Sequence, residues 1–214
     1  MQLRVSTDRQ RIAHGLVVIT LFALVRLASR SFPRGALGLA LGVVSALGFF
    51  VGLFYFGLLR VGGIGLRELG WRRHGAVVDV VRGAVGTIVL MLGLVVVAAL
   101  FYPPANETAR AIVAAVVARS WHERAQLLAM GALASFVEES LFRGYLQPPL
   151  MRRCGDGLGL VIVAALFALA HCEFAPPRLV ALFVQGVGFG VLRGRTHSLW
   201  ASATAHSLLW SLMP

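Results

Sequence analysis

The sequence has little charge and few of the residues that build a water-soluble surface. Only 14% of its 214 residues are charged, whereas 58% are apolar. Soluble domains average about 25% charged and roughly 45–50% apolar residues. The composition therefore excludes an ordinary soluble globular domain.

Cysteine is scarce and lysine is absent. The two cysteines, Cys154 and Cys172, form no CxxC spacing, which gives no sign of a disulfide framework or a cysteine-rich zinc site. All 20 basic residues are arginines, and the formal net charge is +11. Arginines bunched in short loops beside apolar runs follow the positive-inside rule and favour anionic lipid headgroups, not nucleic acid, as partners. Arginine without lysine also indicates a GC-rich bacterial coding sequence.

Long uncharged runs predict a polytopic membrane protein, because a helix needs about 20 apolar residues to cross the hydrocarbon core. We predict seven membrane helices, at residues 12–28, 35–59, 83–102, 125–148, 157–171, 179–192 and 198–213. Helices on this scale leave little room for an extramembrane domain. The chain is therefore expected to be a single all-α membrane-embedded domain over 1–214, a bundle in which Gly186 and Gly190 allow close helix packing.

The distribution of the loop arginines predicts the orientation. With a cytoplasmic N-terminus most of them fall on the inner side, which favours a multi-pass inner (plasma) membrane protein with its C-terminus outside. The stretch 61–75 mixes apolar residues with arginines and is expected to lie along the inner membrane surface. Pro103 and Pro104 predict a break before a small outer loop.

Ionisable residues inside apolar segments are the most informative feature, because each costs several kcal/mol to place there. In the segment 134–146, ASFVEESLFRGYL, Glu139 and Arg143 are four residues apart on one helix face, in the order that favours an ion pair. Glu138 points about 100° away and stays outside that pair. An unpaired carboxylate in a desolvated site is suited to take a proton from water.

Two later predicted helices carry histidines. Phe167 and His171 lie one turn apart near the end of one helix, and His206 lies in the last. Counted at about 1.5 Å per residue, Glu138, His171 and His206 can all reach the middle of the membrane. We therefore predict a catalytic site in which the three side chains face one another around a shared wet cavity. A lone membrane histidine is more often a packing residue, so the prediction depends on the combination.

The combination resembles the CPBP family of intramembrane proteases. It consists of EExxxR at Glu138–Arg143, FxxxH at Phe167–His171 and a later helical histidine, His206. The family is also called Abi or CAAX-protease-like and includes the Rce1-type prenyl-protein endopeptidases. The resemblance covers about residues 125–214, the expected catalytic core. It implies an Rce1-like helical core and an endopeptidase that cleaves near the C-terminus or within a membrane segment of a membrane-associated protein.

The resemblance also implies residue roles. Glu138 and His171 would activate a water molecule, and His206 would stabilise the oxyanion. The implied supporting residues are Glu139, Arg143, Phe167 and Trp210. The family pattern usually has asparagine at the position of Trp210, and the one asparagine in this chain is Asn106. An indole N–H can donate a hydrogen bond, but its size and reach differ from those of a carboxamide.

The participation of a metal stays open at this point. Glu138, His171 and His206 also form a plausible zinc set with an open fourth position. The sequence lacks HExxH, the signature of many zinc metalloproteases. We therefore expect a glutamate mechanism without a metal, and zinc is the alternative.

Two functions of other classes compete with a protease. A noncatalytic protein, for bacteriocin self-immunity or as a membrane scaffold, would keep the helices and lose nothing when Glu138 is replaced by glutamine. A haem-binding membrane protein would use His171 and His206 as axial ligands.

Overall fold

The computed structural model describes residues 7–32, 50–101 and 119–212, together with positions 37, 41, 44, 45, 48, 107 and 114. Most of these residues are helical, and no strand occurs among them, which confirms the all-α prediction. The predicted run 35–59 is described from residue 50 onward and at single positions before it. Pro103, Pro104 and Asn106 lie outside the described residues.

Within the described ranges the chain forms eight bounded α-helices and two π-helices. They are α1 (Asp8–Ser29), π1 (Phe50–Val61), α2 (Leu66–Leu69), α3 (Ala76–Phe101), α4 (Trp121–Glu139), π2 (Ser140–Leu146), α5 (Gln147–Cys154), α6 (Asp156–Ala170), α7 (Pro176–Thr196) and α8 (Leu199–Leu212). The elements α4, π2 and α5 follow one another without a break, so the helix predicted at 125–148 continues to Cys154. Helix α7 is likewise longer at both ends than the predicted 179–192.

Local sequence signals explain where α1 and α4 begin. Thr7 precedes α1 and accepts a hydrogen bond from the backbone N–H of Gln10, whose side chain accepts one from Thr7 in return. Ser120 and Glu123 form the same reciprocal capping box at the start of α4. Each box satisfies backbone N–H groups that the first helical turn leaves without a partner.

Three of the described helices are long and apolar enough to cross a membrane. They are Asp8–Ser29, Ala76–Phe101 and the continuous Trp121–Cys154, and α6 is a shorter apolar helix. The outer face of α3 exposes large apolar side chains, with Leu92 at 64% and Leu100 at 75%. An exposed apolar surface of this kind is suited to lipid. The chain is a membrane protein, whereas the seven spans and their orientation remain predictions.

Glycines allow the helices around α8 to pack closely. Helices α3, α4 and α7 all contact α8. A side chain at Gly83 of α3 would overlap the backbone carbonyl of Ala201 in α8. A Cβ at Gly186 of α7 would lie 3.0 Å from the Cα of Ala164 in α6, and one at Gly190 would collide with Leu160. The expected close approach at Gly186 and Gly190 is therefore present, and α8 lies inside the bundle.

The segment between π1 and α3 packs on the protein. Only Leu66–Leu69 is helical there, and Leu69 is fully buried. The Trp71 indole N–H donates to the Ser140 hydroxyl of π2 at 2.8 Å. Leu69 and Trp71 thus attach this segment to the bundle, and its position along the inner membrane surface stays a prediction.

Candidate active site

Two adjacent carboxylates end helix α4 in the interior of the bundle. Glu138 is 3% exposed and Glu139 is fully buried. The next seven residues form π2, and all of them are buried. A π-helical turn within a longer helix is frequent at functional sites. The sequence patterns did not predict this change of helix type.

Glu139 forms the predicted ion pair with Arg143. The guanidinium donates from Nη1 to Glu139 Oε1 at 3.0 Å and from Nη2 to the Gly186 carbonyl at 3.1 Å. Both side chains of the pair are fully buried. The guanidinium also lies 4.2 Å from the centre of the Phe167 ring, within the range of a cation–π contact. Phe167 therefore supports the site by packing against this cation.

Glu138 is turned away from that pair and toward the two histidines. Its Oε2 lies 3.5 Å from His171 Nε2 and 3.9 Å from His206 Nε2. Within the part of the chain that the structure describes, no hydrogen bond is formed to this oxygen. The structure thus brings together the three residues predicted from separate helices, within reach of one bridging water molecule.

His171 follows the last residue of α6, and its ring is oriented by its own helix. Its Nδ1 lies 2.7 Å from the backbone carbonyl of Phe167. A carbonyl oxygen only accepts, so Nδ1–H is the donor and Nε2 of the neutral ring carries a lone pair. Cys172, the next residue, has φ of 55°, a left-handed conformation that turns the chain away from the helix. The Phe22 ring of α1 packs 6.0 Å from the imidazole.

His206 is oriented by a residue of another helix. Its Nδ1 lies 3.0 Å from Glu139 Oε1, the same oxygen that binds Arg143. Because a carboxylate accepts, Nδ1–H again is the donor and the neutral ring presents an unprotonated Nε2. The imidazole stacks on Phe189 at 4.7 Å with the ring planes 18° apart.

Three acceptors therefore face one another at the centre of the site. Glu138 Oε2 and the Nε2 atoms of neutral His171 and His206 have no hydrogen to share among themselves. Buried polar groups are normally hydrogen-bonded, so this arrangement needs either a proton on one of the three or a water molecule between them. It is suited to bind and polarise water.

A cavity of about 340 Å³ reaches the two histidines. Glu138 is not among its lining residues, whereas its Oε2 lies 3.5 and 3.9 Å from the two imidazoles that are. A wet cavity shared by all three residues stays a prediction. The other lining residues are Arg26, Arg119, Leu127, Phe167, Glu173, Arg178, Ala181, Leu182, Gln185, Leu209 and Trp210.

Two further side chains line this cavity near the histidines, Trp210 and Gln185. Trp210 lies one turn after His206, and its Cβ packs against Gly131 of α4. Gln185 of α7 is only 8% exposed, and its side chain makes no hydrogen bond to any described residue. Gln185 is not among the residues predicted from the sequence. A signal was present, because it is a polar residue inside an apolar helix and directly precedes Gly186.

Zinc and haem are the two groups that these residues could hold. Among the described residues, no group of three or more His, Cys, Asp or Glu side chains has an arrangement that could hold a metal ion. A haem would need a porphyrin between His171 and His206. The Phe167 ring centre lies 4.6 and 5.8 Å from the two imidazoles, and Glu138 Oε2 lies 3.5 and 3.9 Å from the two Nε2 atoms that would have to bind the haem iron.

Comparison with known proteins gives a family match for the C-terminal part of the chain. Residues 120–212 match the model of the Rce1-like family, described as type II CAAX prenyl endopeptidase Rce1-like. No curated protein and no solved structure matches the chain. The matched segment extends from the cap of α4 to the end of α8 and contains Glu138, His171 and His206. The predicted resemblance to the CAAX-protease-like proteins is thereby confirmed.

Proposed function

Starting from the Rce1-like match of residues 120–212, we propose that this chain is an intramembrane endopeptidase. It would hydrolyse a peptide bond near the C-terminus or within a membrane segment of a membrane-associated protein. The observation that carries the proposal is the approach of His171 and His206 to the Glu138 carboxylate, at 3.5 and 3.9 Å.

The proposed nucleophile is a water molecule held by Glu138 and His171. Water donates two hydrogen bonds, which Glu138 Oε2 and His171 Nε2 can both accept. As the water oxygen attacks the peptide carbonyl, Glu138 takes its proton as general base and later returns it to the leaving amine. The attack is direct, so no covalent enzyme intermediate forms.

The proposed oxyanion stabiliser is His206. To donate from Nε2 the ring must carry a proton on both nitrogens, and the Glu139 carboxylate at 3.0 Å from Nδ1 stabilises that charged form. The carboxamide of Gln185 is the candidate for a second donor, because it lines the same cavity, is buried and makes no hydrogen bond to another residue that the structure describes. Trp210 stands where the family pattern has asparagine and would support this wall of the cavity.

Arg143 acts through its neighbours in this proposal. It holds the Glu139 carboxylate, which in turn orients the His206 ring, while its second hydrogen bond attaches the pair to Gly186 of α7. Glu139 and Arg143 are therefore positioning residues. Their network connects α4, π2, α7 and α8 at the depth of the reaction.

The test is cleavage of candidate membrane proteins in cells by the wild type, Glu138→Gln and His171→Ala. Glu68→Gln is the matched control, since Glu68 is exposed on α2 and the substitution makes the same carboxylate-to-amide change. We expect the two site variants to lose cleavage and the control to keep it. If the site variants cleave as well as the wild type, the protease proposal fails and a noncatalytic immunity or scaffold role is favoured.

The metal alternative needs a separate measurement. The purified protein is assayed before and after treatment with a strong chelator, and its metal content is determined. The glutamate mechanism predicts unchanged cleavage. Loss of cleavage that added zinc restores would instead assign Glu138, His171 and His206 as zinc ligands.

A further inference from the structure

The cavity that leads to His171 and His206 has a cationic side. Three arginines line it, Arg26, Arg119 and Arg178. Among its described lining residues the only carboxylate is Glu173, and Glu173 is already paired with Arg30 at 2.8 Å. The open space thus lies in a positive local field, which attracts an anionic group.

Helix α7 increases this positive charge at one end of the cavity. Its cavity-lining residues, Arg178, Ala181, Leu182 and Gln185, follow the spacing of a single helix face. Arg178 lies in the first turn, which contains no acidic residue. A helix N-terminus carries a partial positive charge, so a cation there is unfavourable unless an anion offsets it. No such anion is present in this turn, which suggests that the ligand supplies it.

The cationic end of the cavity, at Arg178, lies at a distance from the reacting groups that a short peptide can span. At about 1.5 Å per residue, Arg178 is roughly 10 Å along the axis of α7 from Gln185. The Arg26 guanidinium lies 5.7 Å from the centre of the Phe22 ring, and Phe22 lies 6.0 Å from the His171 ring. Arg26 and His171 therefore pack near the same aromatic ring and line the same cavity.

The wall between these ends is apolar. It is formed by Leu127, Leu182, Leu209 and Trp210. A ligand that fits the whole cavity has a reactive carbonyl at the histidines, apolar side chains along the middle and a negative charge at the arginines. Among peptide groups, a carboxylate meets this last requirement, because guanidinium binds it with two parallel hydrogen bonds.

We propose that Arg26 and Arg178 form a subsite for a carboxylate of the substrate, either the free C-terminus or an acidic side chain. That the ligand is a substrate rests on the proposed function. The subsite selects peptides whose carboxylate binds the arginines while the peptide bond to be cleaved lies at the histidines. Arg119 lines the same cavity but is engaged in another interaction, so the proposal does not depend on it.

The test measures peptide binding to the full-length chain in phosphatidylcholine nanodiscs, with Glu138→Gln as the background so that no peptide is cleaved. The probes are radiolabelled acetyl-trileucine as the free acid, its C-terminal amide, and an amidated acetyl-dileucyl-aspartate. We expect the free acid to bind about tenfold more tightly than the amide. Tighter binding of the aspartate peptide than of the trileucine amide would assign the subsite to a side-chain carboxylate as well.

The arginine variants identify the residues responsible. Arg26→Gln and Arg178→Gln should each remove most of the difference between acid and amide. Arg195→Gln is the matched control, because Arg195 is exposed in the last turn of the same helix as Arg178 and does not line the cavity. The proposal is overturned if acid and amide bind equally to the unsubstituted background, a result that needs no variant to fold, or if Arg195→Gln has the same effect as Arg178→Gln.

Lipid is the competing source of an anion. If phosphatidylglycerol in the nanodisc abolishes the preference for the acid, the arginines bind headgroups and the proposal is wrong. Binding is measured without cleavage, so the two hypotheses fail separately. If the chain prefers the carboxylate but cleaves no substrate, the subsite proposal holds and the protease proposal fails. If it cleaves substrates equally well with and without the carboxylate, the protease proposal holds and the subsite proposal fails.

Discussion

Replacing Arg143 by methionine tests whether the buried ion pair holds the site together. Methionine replaces the apolar stem of the arginine side chain but lacks its guanidinium. The substitution therefore removes the charge that lies 3.0 Å from Glu139 and the donor to the Gly186 carbonyl. Both partners are fully buried, so no water can replace the lost contact. Removing one member of a buried pair costs about 3–5 kcal/mol, because the other charge stays buried without compensation. We expect a loss of this size in the free energy of unfolding.

The double variant Glu139→Gln with Arg143→Met separates the ion pair from the packing. It leaves no buried charge uncompensated, so it should be less destabilised than the sum of the two single variants. The expected coupling free energy is about 2–3 kcal/mol. Unfolding is measured in mixed micelles at one fixed pH for all variants.

The matched control is the pair of Asp79 and Arg82 on α3. Its N–O distance is also 3.0 Å, and although the Asp79 side chain is 9% exposed, the Arg82 side chain is 59% exposed, so the pair is open on one side. Exposed pairs contribute about 0–1 kcal/mol, so the same double-variant cycle should give a coupling below about 1 kcal/mol there. A coupling at Glu139 and Arg143 no larger than at the control pair would refute the argument that burial makes this pair strong.

Three further substitutions test the packing and chemistry around the cavity. Gln185→Leu should lower kcat about 100-fold with KM little changed if its amide donates to the oxyanion, and an unchanged kcat in peptide hydrolysis contradicts that role. Gly131→Ala should lower the thermal unfolding midpoint, because a Cβ there would lie 2.6 Å from Trp210 Cβ. The control Gly194→Ala should leave the midpoint unchanged, because a Cβ at Gly194 would have no neighbouring atom within 4 Å. Equal midpoints for the two variants would contradict the close contact at Gly131. Cys172→Gly should have a thermal unfolding midpoint at least as high as that of Cys172→Val, because φ of 55° at this position disfavours a β-branched residue. A higher midpoint for Cys172→Val would show that backbone strain does not determine the stability of these variants.

Local helix geometry accounts for what could be predicted from the sequence. The apolar runs predict membrane helices whatever their neighbours, because the bilayer requires internally hydrogen-bonded segments of a certain length. The contact between Glu139 and Arg143 depends only on four-residue spacing in a helix, and so does the bond from His171 Nδ1 to the Phe167 carbonyl. The ion pair within EExxxR could therefore be predicted without the fold, whereas the catalytic roles of EExxxR and FxxxH stay predictions.

The rest depends on contacts between residues far apart in the chain. Tertiary packing sets the tautomer of His206 through Glu139, and it brings Glu138 within 3.5 and 3.9 Å of the two imidazoles. It also makes Gln185 part of the cavity, a role that its sequence context indicates only weakly.

The sequence by itself determined that this is a helical membrane protein with an acid, an ion pair and two histidines at a common depth. Only the tertiary structure decided which atoms meet, which of them border open space and which arginines surround that space. The physical reason is that helix periodicity sets the direction of a side chain relative to its own axis. The rotation and spacing of neighbouring helices depend on close contacts such as those of Gly83 and Gly186, which no local pattern specifies.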